Sequence, residues 1–113
     1  VINPENVVGQ AINFLTELEG PDDVAELFRD LGLIGYRRDA YGNPVTMFFA
    51  YQLAEHGLSS YDVFVDQDEI ILCREHQVVA NWPTPDSVAA FLKQFDQGAY
   101  EFLDAEVNRE KTN

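Results

Sequence analysis

Arg37 and Arg38 are the one adjacent pair of positive charges in a sequence with 7 Lys+Arg against 20 Asp+Glu. Each guanidinium is a rigid fork of donors that matches a carboxylate or a phosphate. Shortly after them Asn43-Pro44 opens an apolar segment, a capping residue followed by a proline suited to the first helical position. Helix N-termini carry unpaired amides that attract anions. The spacing therefore predicts a site for a phosphate or a partner's carboxylate, made by Arg37, Arg38 and the amides near Val45 and Thr46. Tyr36 and Tyr41 flank the pair, and Tyr beside Arg is the composition of a binding hot spot. The competing reading is ion pairing with the chain's own acids, of which Asp39 is nearest in sequence.

Other chemistry is sparse. Cys73 and His76 have the spacing of a nucleophile and its base, but Cys73 closes the apolar run Ile70-Ile71-Leu72. There a cysteine acts as a small hydrophobe. With 1 Cys and 2 His the chain cannot make a common structural zinc site. Asp66-Gln67-Asp68-Glu69 offers oxygens but lacks the further ligands and central glycine of a calcium loop. No phosphate-binding glycine loop, dinucleotide fingerprint or serine-hydrolase elbow occurs. His56 falls at a helix end, where a cation favours the dipole. No catalytic residue, metal or cofactor is expected.

The charge speaks more clearly. A formal net charge of −13 repels nucleic acid and anionic membranes and suits a basic protein. The candidate contact acids are Asp22, Asp23, Glu26 and Asp30 on one helix face, with Asp96, Glu101, Asp104 and Glu106 near the C-terminus. The expected function is a non-enzymatic, acidic protein-interaction module with a basic protein partner. One alternative is an inhibitor that mimics DNA, with carboxylates spaced like phosphates. Another is a small-molecule or anion-binding domain, or an enzyme, using the Arg37/Arg38 loop. A single cysteine, no leader-like start and no apolar run near the roughly 20 residues of a membrane span point to the cytoplasm.

These residues need elements to place them. Length and the 46% apolar content suit one α+β domain over residues 1–113. Asn3-Pro4-Glu5 starts a helix whose stripe is Val8, Ala11, Ile12, Leu15 and Leu18, with Gly20 as its stop. Pro21 restarts a second helix to Gly32, and the short link predicts a helical hairpin. The third helix, Pro44 to about His56, is apolar nearly all round and is expected at the centre of the core. Residues 61–82 switch to period two and predict a three-stranded antiparallel meander with turns at 66–68 and 75–77. Two free edges leave a monomer or a homodimer open. Thr84-Pro85-Asp86 caps a fourth helix, closed by Gly98, and 100–109 forms a last short one with Phe102, Leu103 and Val107 inward. These C-terminal helices pack on the sheet, and residues 110–113 fray.

Three stretches, Gly35-Tyr36-Arg37-Arg38, Asn43-Pro44-Val45 and Phe91-x-x-x-Phe95-Asp96-x-Gly98-x-Tyr100, resemble a pattern in small uncharacterised bacterial proteins. The resemblance covers about half of the chain and implies no activity. It implies that the arginine loop and the Phe-Asp-x-Gly-x-Tyr turn belong to one design.

Overall fold

The computed structural model describes residues 2–111. The order is α1 (Pro4–Thr16), α2 (Pro21–Leu31), α3 (Pro44–Glu55), β1 (Asp62–Val65), β2 (Glu69–Arg74), β3 (Gln77–Pro83), α4 (Asp86–Asp96), a 3-10 turn (Glu101–Leu103) and α5 (Ala105–Lys111). The strands form one antiparallel sheet in the order β1-β2-β3, as the α+β reading expects.

The helix starts follow local chemistry. Asn3 accepts the Glu5 amide at 2.8 Å, and Asn43 accepts the Thr46 amide at 2.9 Å. Gly32 ends α2 at φ 70, a left-handed position that suits glycine. Other caps differ from expectation. Gly20 does not stop α1: it is extended, at φ −165, and precedes α2, while α1 ends at Glu17. Thr84 does not cap α4; its hydroxyl donates to Asp66 O at 2.8 Å and ties the first hairpin to the end of β3.

The sheet's inner face is set by pairing. Val63 stands opposite Leu72 and Val65 opposite Ile70, and all four are buried. They join residues of α1 to α4 in one core. Phe28 is its hub, fully buried, with its ring edge-on to Phe91 at 5.5 Å and tilted against Phe48 at 5.7 Å. Burying one such ring contributes about 2 to 3 kcal/mol. The second hairpin turns at Glu75 and His76, both left-handed at φ 53 and φ 67. A primed two-residue turn needs this geometry to match strand twist.

α3 corrects an expectation. It is not buried all round. Val45, Phe48, Phe49 and Leu53 face the core, but Met47, Ala50, Tyr51 and Ala54 face solvent. The helix packs on α1 and β1 and forms an outer layer. α1 and α2 are joined by residues 17–20, yet each takes its main contacts elsewhere, α1 from α3 and α4, and α2 from α4. Near the C-terminus Leu103 is buried as expected, whereas Phe102 is 44% exposed. Of the tail expected to fray, residues 110 and 111 continue α5, and Thr112 and Asn113 lie outside the described residues.

Candidate functional site

The arginine loop begins at a close backbone crossing. Gly35 donates to Leu103 O at 2.9 Å and accepts from the Ala105 amide at 2.8 Å, a lone parallel bridge to the C-terminal segment. On its other side Tyr36 donates to Gly42 O at 2.9 Å, which closes the loop. A Cβ at position 35 would meet backbone atoms of Gly42, Asn43 and Pro44 at 2.5 to 2.6 Å. A side chain has no room there, so the crossing requires glycine.

That crossing aims Arg37 across the molecule. Its Nε donates to Asp104 Oδ2 at 2.5 Å, and the two side chains are 13% and 9% exposed. A second nitrogen donates to Phe95 O and, at 3.1 Å, to Ala99 O. The guanidinium also lies 4.7 Å over the Phe95 ring. Arg38 follows on the outside. Its amide donates to Asp96 Oδ1 at 2.7 Å and its side chain to Asp96 O at 3.0 Å. Phe95 and Asp96 end α4, where carbonyls lack intrahelical partners and the dipole is negative. The double positive charge is a cap for a distant helix C-terminus. Arg38 adopts φ 54 to reach it, at a cost of about 1 to 2 kcal/mol.

The expected anion site at the N-terminus of α3 does not form. Thr46's amide is already taken by Asn43, and its hydroxyl donates to Ala40 O at 2.7 Å. Asn43 is buried and also donates to Val65 O at 2.9 Å, so it joins loop, helix and strand. Asp39 accepts the Tyr41 amide at 2.9 Å; the arginine partners are Asp104 and Asp96. Tyr41 is 71% exposed and meets Phe64 at 4.4 Å. Tyr36 is exposed beside the loop. The four residues read as one hot spot are therefore divided.

The acids are divided too. Asp22, Asp23, Glu26 and Asp30 are all exposed on α2, as are Glu101 and Glu106; Asp96 is half-buried. Arg29 lies 3.5 Å from Glu26 and 3.6 Å from Asp30. Asp104 is the exception among the expected surface acids: it is buried. Its Oδ1 accepts the Glu106 amide at 2.9 Å, capping α5, while Oδ2 holds Arg37. Burial pushes its pKa up, but the Arg37 hydrogen bond, the Glu106 and Val107 amides and the arginine's charge outweigh that and hold it low. Asp22 accepts the Tyr100 hydroxyl at 2.6 Å. Burial, then the hydrogen bond and charge of Asp22, push Tyr100 up to about 12.

Cys73 is buried, and desolvation, then the charge of Asp62, raises its thiol pKa, which disfavours the thiolate. Asp66 Oδ1 accepts the amides of Asp68 and Glu69, both at 2.8 Å, so that acidic turn is closed on itself. Among the described residues no group of His, Cys, Asp and Glu is placed to hold a metal, and no helix is long and apolar enough to cross a membrane.

Sequence reasoning also missed a cleft. A cleft of about 360 Å³ opens among α1, α2 and α3, lined by Val7, Ala11, Phe14, Leu27, Leu31 and Phe48, with Gln10, Gln52 and His56 as its polar part. Part of the signal lies in the sequence: Phe14 is a large apolar residue outside the stripe Val8, Ala11, Ile12, Leu15 and Leu18 of α1. Set against protein-family models, curated proteins and solved structures, the chain matches none.

Proposed function

We propose that this chain is a non-enzymatic interaction module that binds a basic protein through its acidic surface. One observation carries the reading. Arg29, Arg37, Arg38 and Arg74 all turn onto the chain itself, three onto acidic residues or helix-end carbonyls and Arg74 onto the Tyr61 ring. The acids of α2 meanwhile stand in solvent. A surface of one sign steers oppositely charged partners and suppresses wrong ones. Arg37 takes no part in the contact, because its guanidinium is largely buried on Asp104 and the carbonyls at the end of α4.

The experiment is capture of basic proteins from lysate on the immobilised chain, with low-salt and high-salt washes. The control is a variant carrying Asp22→Asn, Asp23→Asn, Glu26→Gln and Asp30→Asn. A basic protein held at low salt, released at high salt and lost on the variant is the expected result. Capture that survives neutralisation of all four acids would refute the reading.

A further inference from the structure

The cleft among α1, α2 and α3 is open and mainly apolar in its lining. Val7, Ala11 and Phe48 form its buried floor, and Phe14 and Leu31, 47% and 48% exposed, form open apolar walls. Helix periodicity fixes the rim, because residues three or four apart share a face. Glu17, the residue that caps the end of α1, lies three beyond Phe14, Asp23 and Asp30 flank Leu27 on α2, and Glu55 follows Gln52 on α3; all four acids are exposed. Asp30 is shared with Arg29, and Glu55 takes a hydrogen bond from Tyr51. No carboxylate lines the cleft itself, but each of its three sides brings an exposed one within a helical turn of a lining residue, and His56 is the one basic residue among those lining it. An apolar floor inside an anionic rim is complementary to an apolar stripe flanked by cations.

We propose that this cleft docks an amphipathic helix of a partner, with large apolar side chains at i, i+3, i+4 and i+7 and Lys or Arg on either side. The proposal rests on the reading of the chain as an acidic interaction module, and it names the face and the partner's chemistry. Apolar anchors supply the affinity and the charged rim the orientation.

The test uses the full chain and a labelled synthetic helical peptide with leucines at those positions and lysines elsewhere. A scrambled peptide of the same composition is the control. Binding is read by fluorescence anisotropy at low and at physiological salt, on wild type and on Phe14→Ser and Leu31→Ser, with circular dichroism confirming that the variants fold. The patterned peptide is expected to bind about tenfold or more tighter than the scrambled one, and each variant to weaken it about tenfold. Equal binding of the two peptides overturns the cleft. So does salt-sensitive binding that ignores both substitutions but falls on the four-acid variant, which leaves the acidic-module reading standing. Binding of neither peptide at low salt refutes both. A concentration-dependent dimer that both substitutions dissociate would place a second copy in the cleft, and would also overturn the proposal.

Discussion

The Arg37 latch and the cleft at α1, α2 and α3 handle their side chains in opposite ways. At the latch, the donors turn onto acceptors supplied by the same chain: Asp104, Phe95 O and Ala99 O for the Arg37 side chain, and Asp96 for the Arg38 amide and one of its guanidinium nitrogens. At the cleft, Phe14 and Leu31 leave apolar surface open beneath exposed acids. The comparison teaches where an interaction surface should be sought. A charge satisfied internally is part of the fold, however conspicuous it is in the sequence. Apolar surface left without cover is what a partner can still stabilise by removing it from water.

The sharpest way to break this contrast is at the latch. Arg37→Ala leaves Asp104 buried beside an absent partner, takes the side-chain donor from Ala99 O, and leaves Phe95 O with the Gly98 amide. Removing one member of such a pair costs about 3 kcal/mol or more, and urea denaturation should show it as a lower midpoint. Little or no loss would mean that the latch is not structural. Gly35→Ala comes next. The added Cβ collides with backbone at 2.5 to 2.6 Å, so the crossing must shift. The expected loss is about 2 kcal/mol, read in the same denaturation series.

Acid should weaken the latch more gradually. The folded pKa of Asp104 is depressed, so its contribution is present in full above the unfolded carboxylate value of about 4 and is lost as pH falls through the folded value. Asp104→Asn is therefore expected to be less stable than wild type at neutral pH, with the gap narrowing below about pH 4. A constant gap down that titration would show that charge is not what Asp104 contributes. The smallest effect belongs to the cleft. Phe14→Ser and Leu31→Ser should change stability by about 0.5 kcal/mol or less, as exposed substitutions do. A loss of several kcal/mol would make both residues core, and would end the contrast.

Local chemistry made much of the fold legible. Asn3-Pro4 and Asn43-Pro44 start helices because cap and proline act within one turn. Period two across residues 61–82 shows the strands because neighbouring side chains alternate between sheet faces. The acids of α2 could be read as exposed from the 3.6-residue period of a helix. The candidate site was legible only in part. Tyr36 and Tyr41 look paired with the arginines along the chain, but the bridge at Gly35 sends Arg37 towards α4 while Tyr41 goes to β1. Asp104 reads as a surface acid because nothing adjacent to it announces an arginine 67 residues away. The faces of α3 misled for a related reason: Met47 and Tyr51 are apolar, yet among the described residues no element covers them.

By itself, then, the sequence determined the starts of α1, α2 and α3, the strand periods and the excess negative charge. Each follows from neighbours in the chain or from composition. Only the tertiary structure decided that Arg37 and Arg38 cap the end of α4, that Asp104 is internal, and that α1 and α2 stand apart over an open cleft. Those outcomes depend on contacts between distant segments, where steric fit at Gly35 and the unsatisfied carbonyls of α4 select one partner among many acids.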